Sequence, residues 1–138
     1  MPYLLDTNTV SYLMQKRSTI VAHVARVGGV NNLRVAAITV AELRLGVELM
    51  PEGRKKGELL ANLDAALLGL EVLPFTQDAA AAFGWAAALL RKEGVAWGWP
   101  DLAIASVGLA EHMTVVSNDG FFKHVECVCG LKFERWEP

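Results

Sequence analysis

The sequence alternates short apolar segments with longer segments of helical periodicity, and this alternation limits the available folds more than any other feature. Strands that are joined through helices lie parallel, and parallel strands need apolar cover on both faces. The sequence therefore predicts an α/β fold in three layers, with a mostly parallel central sheet of four to five strands between two layers of helices. The predicted strands span residues 1–5, 33–38, 71–75, 113–116 and 131–136.

The helical segments are identified by apolar residues three and four positions apart and by residues that favour helix ends. Thr7 or Asn8 is predicted to cap the first helix, and Thr76 to cap a long alanine-rich helix. Residues 121–125 are predicted to form only a helical turn. After the first helix, the predicted helices span residues 19–27, 39–51, 58–70, 77–91 and 101–111.

The composition indicates a single globular domain over residues 1–138. Hydrophobic residues make up 53% of the chain and charged residues 20%, which is enough apolar material for a packed core. The net charge of −2 argues against a protein that binds nucleic acid through bulk electrostatics alone. It is compatible with a carboxylate pocket that holds phosphate through metal ions.

The chain shows neither a predicted membrane span nor a predicted signal peptide. Its longest apolar stretch, residues 79–90, is broken by Gly84 and is too short to cross a bilayer. The N-terminal residues lack a basic region and include Asp6 where a signal peptide would be apolar. We therefore expect a cytoplasmic protein.

Four acidic residues occupy equivalent positions relative to the predicted elements. Asp6 follows the first strand and Asp119 the fourth, while Glu42 and Asp101 lie in the first turns of helices. In a parallel sheet these positions gather at the edge where the strands end, here called the carboxyl edge. Carboxylates brought together repel one another unless they surround a cation, and Mg²⁺ or Mn²⁺ prefers oxygen ligands. Two such ions can activate an attacking water and stabilise the leaving oxygen of a phosphodiester.

Each acid also has a purely structural interpretation. Asp6 can cap a helix, and Glu42 has capping-box spacing from Thr39. Asp101 can interact favourably with a helix dipole, and Asp119 precedes a glycine as turn residues do. The spacing of the residues leaves both interpretations open.

Several other residues are candidates for contact with a metal-bound water, a phosphate or a base. Arg44 is the basic residue best placed to reach a phosphate, because it follows Glu42 closely on the same predicted helix. Trp97 and Trp99 flank the predicted mouth and can stack on bases, whereas Trp85 is predicted to lie in the core. The polar neighbours of the acids are Thr7, Asn8, Thr39 and Ser117.

The residues around the acids form an ordered set of motifs that spans essentially the whole chain. The motifs are Leu4-Leu5-Asp6-Thr7-Asn8, then Ile38-Thr39-Val40-Ala41-Glu42-Leu43 with Gly46, then Gly94 and Gly98 before Asp101-Leu102-Ala103-Ile104-Ala105, then Val115-Val116-Ser117-Asn118-Asp119 with Phe121 or Phe122, and finally Gly130-Leu131 with Trp136. With these motifs the chain resembles the PIN-domain family, most closely the VapC-type toxins of bacterial and archaeal toxin–antitoxin pairs. The order of the motifs carries the resemblance, since none of them is specific alone.

The resemblance implies a PIN-like α/β/α fold and an endoribonuclease that depends on Mg²⁺ or Mn²⁺. It implies metal ligands at Asp6, Glu42, Asp101 and Asp119, with the hydroxyl of Ser117 assisting. It also implies a homodimer, inhibition by a small antitoxin protein encoded alongside, and a structured RNA as substrate.

Three positions depart from the family pattern or vary within it. Pro100 stands where a polar residue often precedes the third acid, and Ser117 replaces the usual threonine while keeping the hydroxyl. The fourth acid is the position that varies most in the family. Asn118 is therefore an alternative to Asp119 as the last ligand.

The sequence thus predicts the metal-dependent ribonuclease toxin of a toxin–antitoxin pair, and three other hypotheses compete with it. The first is a housekeeping RNA-processing nuclease of the same fold. The second is a non-catalytic binding module with a decayed site, which the presence of all four acids disfavours. The third is a phosphoacceptor protein of the receiver type, which would need a second acid beside Asp6.

Overall fold

A five-stranded parallel sheet forms the centre of the computed structural model, which describes residues 2–138. Met1, which the sequence places in the first strand, lies outside the described residues. The strand order is β3-β2-β1-β4-β5, and every neighbouring pair is parallel. The three-layer α/β prediction is confirmed. The strands are β1 (Tyr3–Leu5), β2 (Leu33–Ala36), β3 (Glu71–Leu73), β4 (Thr114–Ser117) and β5 (Phe133–Arg135).

The helices cover both faces of this sheet. In the part of the chain that the structure describes, they are α1 (Thr7–Met14), α2 (Ser18–Arg26), α3 (Ala37–Glu48), α4 (Arg54–Leu68), α5 (Gln77–Lys92), α6 (Trp99–Glu111) and α7 (Phe121–Cys129). A short 3₁₀ turn, Val30–Asn32, precedes β2. None of the helices within residues 2–138 combines the length and the hydropathy that a membrane crossing requires.

Alternating side chains of the strands feed two separate apolar cores. Leu4 packs with residues of α5, α6 and α7, whereas its neighbour Leu5 packs with residues of α1 and α2. Val115 and Val116 of β4 divide between the same two cores. This division follows from the two-residue period of a strand, which points successive side chains to opposite faces.

The strand order places a topological switch point between β1 and β4. From β1 the chain first builds outward through β2 and β3, and then returns to add β4 on the opposite side of β1. At such a point the connections leave the carboxyl edge in opposite directions and open a crevice where ligands bind. Asp6 directly follows β1 and Ser117 ends β4, so both residues lie at this crevice.

The caps of two helices differ from the sequence prediction. Asp6, rather than Thr7 or Asn8, caps α1 by accepting a hydrogen bond from the Thr9 amide. The capping-box interpretation of Thr39 and Glu42 is wrong, because α3 begins at Ala37. Glu42 therefore lies in the second turn of the helix, and not in the first turn as predicted. Thr76 caps α5 as predicted, with its hydroxyl 3.1 Å from the Ala79 amide nitrogen.

Several element boundaries also differ from the prediction; α4, for example, spans Arg54–Leu68 rather than residues 58–70. The predicted second strand reaches residue 38, but β2 ends at Ala36 because the chain turns directly into α3. The predicted turn over residues 121–125 is the start of a nine-residue helix that ends at Gly130. Gly130 adopts a left-handed conformation with φ of 76°, which glycine tolerates at little cost, and this ends the helix.

Helix α6 packs closely against the sheet at Gly108. Its residues from Leu102 to Gly108 are buried, and a Cβ atom at Gly108 would lie 2.7 Å from Cγ2 of Val115. Only a residue without a side chain permits this approach. Because α6 also carries Asp101 in its first turn, the close packing fixes the position of that acid.

Gly108→Ala is expected to lower the free energy of unfolding by about 1–2 kcal/mol, because the added methyl group overpacks the contact with β4. Gly57→Ala is the matched control, since a Cβ atom there would face open space on α4. That control is expected to raise stability by about 0.5–1 kcal/mol through helix propensity alone. Urea unfolding of the two variants measures both effects. Equal stabilisation by the two substitutions would contradict the close packing of α6.

Candidate metal centre

Asp6 is the most firmly held of the four acids. It is 3% exposed, and both of its carboxylate oxygens accept hydrogen bonds. Oδ1 accepts from the Thr9 amide at 2.9 Å, and Oδ2 accepts from the Ser117 hydroxyl at 2.6 Å. These donors fix the rotamer of the carboxylate at the point where β1 gives way to α1.

Ser117 connects Asp6 to the loop that carries Asp119. Its hydroxyl donates to Asp6 and accepts a hydrogen bond from the Asp119 amide at 2.9 Å. Ser117 is fully buried at the end of β4, beside β1. A single hydroxyl therefore couples the carboxyl ends of the two strands at the switch point.

Glu42 is held in place by a residue of the first motif. The Thr7 hydroxyl donates to Oε1 of Glu42 at 2.5 Å and lies 3.5 Å from the Thr39 hydroxyl. Thr7 belongs to the first turn of α1, whereas Thr39 and Glu42 belong to α3. This contact brings the second acid toward the end of β1, although 36 residues separate it from Asp6 in the sequence.

The four acids are close enough that their negative charges affect one another's pKa. Burial and then the negative charges of Asp119, Glu42 and Asp6 raise the pKa of Asp101 to about 6. Burial also raises the pKa of Asp6, against the hydrogen bonds from Ser117 and Thr9, and Asp119 adds to the rise. The sequence prediction that these acids gather at the carboxyl edge agrees with this mutual influence.

In the side-chain conformations of this structure, the four carboxylates do not surround a common point. Among residues 2–138, no three Asp, Glu, His or Cys side chains are grouped closely enough to hold a metal ion. Three of the acids instead accept hydrogen bonds from their own neighbours: Asp6 from Thr9 and Ser117, Glu42 from Thr7, and Asp119 from the Phe121 amide at 2.9 Å. Closure around an ion therefore requires side-chain rotation, chiefly at Glu42 and at the exposed Asp119.

The chemistry of the donor set fits a hard divalent cation. All the candidate ligands are carboxylate oxygens, and the neighbouring side chains are hydroxyls that can hold ligated water. The raised pKa of Asp101 records the repulsion that a cation would relieve. The structure therefore fits an oxygen-ligated ion in its donors and electrostatics, and leaves the final ligand geometry to rotamer changes.

Asn118 is engaged elsewhere. Its backbone carbonyl and its side-chain oxygen both accept hydrogen bonds from Nη1 of Arg135, at 2.8 and 2.9 Å. Arg135 ends β5 and aligns with Ser117 of β4, so it braces the loop that carries Asp119. The sequence analysis missed this arginine; its position at the end of the last predicted strand was the available signal.

The remaining candidates have mixed outcomes. Arg44 pairs with Asp64 of α4 at 2.8 Å, which engages the side chain predicted to reach a phosphate. The prediction that Trp85 lies in the core is wrong, because its side chain is 53% exposed. Thr9, which the sequence patterns did not single out, is fully buried and donates its amide hydrogen to the capping side chain of Asp6.

A groove of about 580 Å³ opens beside Glu42 between helices α1, α3 and α4. Its walls are mostly apolar, and Thr7 and Glu42 contribute to its lining. The other lining residues are Ser11, Met14, Gln15, Leu43, Gly46, Val47, Leu59, Asn62 and Leu63. The groove therefore leads from an apolar surface to one of the acids.

Comparison with known proteins assigns the family. The family model described as PIN domain matches residues 3–126, which cover the sheet from β1 to β4 and all four acids. This chain belongs to the PIN-domain family. The resemblance to the PIN-domain family is thus confirmed.

Relatives of known name share this PIN domain over nearly their full length. The chain is 30% identical to Ribonuclease VapC2 of Rickettsia felis over 138 residues, covering 99% of each protein. It is 33% identical to Ribonuclease VapC2 of Haemophilus influenzae strain Rd over 135 residues, covering 97% of each. Among solved structures, VapBC2 of Rickettsia felis bound to a promoter DNA fragment superposes with a TM-score of 0.85 at 28% identity, covering 99% of this chain and 100% of that chain.

Asp101→Asn is expected to stabilise the protein in the presence of a chelator, and only above about pH 4. The folded state holds the Asp101 proton with a pKa of about 6, above the ordinary value of 3.8, so this carboxyl lowers stability as the pH rises between those values. At about pH 8 the variant should be more stable by about 1–2 kcal/mol, and at about pH 4 nearly equal to the unsubstituted protein. Urea unfolding at both pH values measures the difference.

Asp78→Asn is the control for this experiment, because it removes one carboxylate from an exposed turn of α5. Its effect is expected to stay within about 0.5 kcal/mol. If Asp101→Asn changes stability equally at both pH values, the acids do not repel one another as described.

Proposed function

We propose that this protein is a metal-dependent endoribonuclease that serves as the toxin of a toxin–antitoxin pair. The observation that carries the proposal is the shared electrostatic environment of Asp6, Glu42, Asp101 and Asp119 at the switch point of a PIN domain. Nearly full-length relatives named as VapC ribonucleases support the same activity. We also infer that residues 1–138 act as one domain, since strands near both ends of the chain belong to one sheet. We propose a cytoplasmic location because the proposed RNA substrate would be met there.

The four acids are the proposed ligands of Mg²⁺ or Mn²⁺. Asp6 is the fixed member, because two donors and burial define its position. Asp101 contributes the charge most in need of neutralisation, and Glu42 would exchange its hydrogen bond with Thr7 for the cation. A bound ion of this kind supplies an activated water and neutralises charge on the phosphodiester.

Asp119 is the proposed fourth ligand in preference to Asn118. Its charge acts on both Asp6 and Asp101, whereas the oxygens of Asn118 accept hydrogen bonds from Arg135. Asp119 is also exposed, so its side chain can rotate without disturbing the core. The exchange costs it the hydrogen bond from the Phe121 amide.

The hydroxyls serve as positioning groups. Ser117 holds Asp6 and the Asp119 loop in register, and Thr7 holds Glu42 near the end of β1. Hydrolysis by an activated water requires no side-chain nucleophile. The net charge of −2 fits this mechanism, because the cation rather than a basic surface would attract the RNA phosphate.

The antitoxin partner is proposed to bind the groove between α1, α3 and α4. The groove offers apolar walls for a partner segment and ends beside Glu42, so a segment bound there would obstruct the acids. A housekeeping nuclease would have no use for such an inhibitor. A neighbouring gene for a small DNA-binding protein would favour the toxin, and its absence would favour the housekeeping role.

A homodimer is proposed from the exposed face of α5. Trp85 is 53% exposed there, and small residues flank it along the same helix. An apolar helical stripe of this kind is commonly buried between copies of a chain. The exposed small residues are Ala80, Ala81, Gly84 and Ala88.

Asp6→Asn is expected to lower the rate of RNA cleavage by a factor on the order of 100 or more, because the fixed ligand and its charge are lost. The unsubstituted protein should cleave RNA with Mg²⁺ or Mn²⁺ and stop when a chelator is added. Asp64→Asn, which removes an exposed carboxylate from α4, should cleave at the normal rate.

Titration of Mg²⁺ binding by native mass spectrometry distinguishes the two candidates for the fourth ligand. Asp119→Ala should weaken binding and Asn118→Ala should leave it unchanged. The nuclease proposal fails if the Asp6→Asn protein cleaves as fast as the unsubstituted protein, or if the chelator has no effect on cleavage.

A further inference from the structure

A cluster of four aromatic rings surrounds the start of α6. Phe83 of α5 is its centre, with Trp99 stacked on it at a centroid distance of 4.4 Å and an interplanar angle of 17°. Trp97 meets both rings edge-on, at 5.5 Å from Phe83 and 5.8 Å from Trp99. Phe75 contacts the edge of Phe83 at 6.3 Å. The cluster therefore holds the Trp99 indole from below and from one side.

Trp99 is exposed in spite of these contacts. Its side chain is 68% exposed, whereas Phe83 beneath it is 8% exposed. Because Phe83 covers one face of the indole, the exposed surface includes the other face. We call this arrangement of Trp99, Phe83 and Trp97 the Trp99 platform. It is a rigid aromatic surface with one open side.

The platform lies beside the proposed nuclease site. Trp99 is the first residue of α6, and Asp101 is the third. Residues two apart on a helix point to nearly opposite sides, so the indole and the Asp101 carboxylate diverge from the same helix turn. Phe75 follows β3 at the carboxyl edge, which sets the cluster at the same edge as the acids. The platform and one of the acids therefore share the first turn of α6, at the same edge of the sheet.

Positive charge adjoins the platform on the side of α5. Arg91 and Trp97 line one shallow depression of about 450 Å³, together with residues 94–96. Neither Arg91 nor its neighbour Lys92 forms a salt bridge within residues 2–138. An aromatic surface beside free cationic side chains is the combination that binds single-stranded nucleic acid, because bases stack and phosphates pair with the cations.

We propose that Trp99 stacks an unpaired base of the RNA substrate, next to the phosphodiester held at the acids, and so contributes to the choice of cleavage site. The proposal rests on the proposed nuclease function and adds a substrate-binding residue to it. A purine fits best, since its two rings cover more of the indole than a pyrimidine does. The cationic side chains of Arg91 and Lys92, unpaired within residues 2–138, and the divalent cation proposed at the adjacent acids favour a nucleic acid over a second copy of the chain as the occupant.

The affinity for single-stranded oligomers of equal length tests the platform without cleavage. Asp6→Asn protein in Mg²⁺ is titrated with oligoadenylate, oligouridylate and an abasic ribose-phosphate oligomer, and binding is followed by fluorescence anisotropy. Oligoadenylate should bind most tightly and the abasic oligomer most weakly. Adding Trp99→Ala should weaken oligoadenylate binding by about 5- to 100-fold and leave the abasic oligomer nearly unchanged.

Leu68→Ala is the control, because it removes an exposed apolar side chain of α4 that lies outside both the platform and the proposed dimer face. It should preserve the ratio of oligoadenylate to abasic affinity, and Trp99→Phe should retain part of that ratio. In the active protein, Trp99→Ala should raise KM for RNA with little change in kcat. Light scattering should show the same mass for Trp99→Ala as for the unsubstituted protein, and thermal melting only a modest loss of stability from the lost stacking on Phe83.

Three results would contradict base stacking on Trp99. The first is a ratio of oligoadenylate to abasic affinity that Trp99→Ala does not change, and the second is equal binding of the oligomers with and without bases. The third is a Trp99→Ala protein that loses its dimer while keeping the ratio. The third result would assign Trp99 to contact between copies. If binding prefers oligoadenylate and this preference requires Trp99, but the protein shows no metal-dependent cleavage, base stacking on Trp99 stands and the nuclease proposal fails. If the protein cleaves RNA with metal but Trp99→Ala leaves the affinity ratio unchanged, the nuclease proposal stands and base stacking on Trp99 fails.

Discussion

The parallel pairing of β1 with β4 is the constraint on which the rest of the structure depends. The register sets Leu5 beside Val116, so the chain leaves β1 at Asp6 directly beside Ser117. The Asp6 amide extends the ladder by donating to the Val116 carbonyl at 3.0 Å, and the two side chains then meet at 2.6 Å. A one-residue slip would turn Leu4 and Leu5 toward the wrong cores and separate this pair. The same apolar alternation that specifies the sheet therefore specifies the site.

The site gains its electrostatic character at the expense of local stability. Burial and like charges raise the pKa of Asp101, so its ionised form opposes folding at neutral pH. Apolar packing around the same helix compensates, because α6 is buried from Leu102 to Gly108 and approaches β4 at Gly108. Functional sites commonly lower the stability of a protein, and here the close packing of α6 offsets that loss.

The sequence predicted the sheet and the positions of the acids because both follow from local patterns. Apolar segments ended by polar residues marked β1 and β4, and helical periodicity marked most helices. The boundary of β2 and the cap of α3 were mispredicted, because Thr39 and Glu42 matched a local motif while the tertiary contact with Thr7 determined their positions. The length of α7 was underestimated, since the left-handed conformation of Gly130 ends the helix four residues later than predicted.

Long-range contacts were beyond the reach of the sequence patterns. The bond of Arg135 to Asn118 joins residues 17 apart, and the stacking of Trp99 on Phe83 joins two helices. Trp85 was placed in the core because alanine-rich surroundings suggest burial, although the side chain lies on the exposed face of α5. In each case the local sequence pattern does not identify the residue that the side chain packs against.

The central claim is that the four acids form one metal site, and anomalous diffraction from crystals grown with Mn²⁺ tests it most directly. The anomalous signal locates manganese independently of how the side chains are built. The account predicts a peak at the carboxyl edge between β1 and β4, about 2.0–2.3 Å from carboxylate oxygens of Asp6 and Asp101. Glu42 or Asp119 should be rotated toward the ion or toward its waters. A peak elsewhere on the protein, or none at this edge at saturating Mn²⁺, would contradict the account.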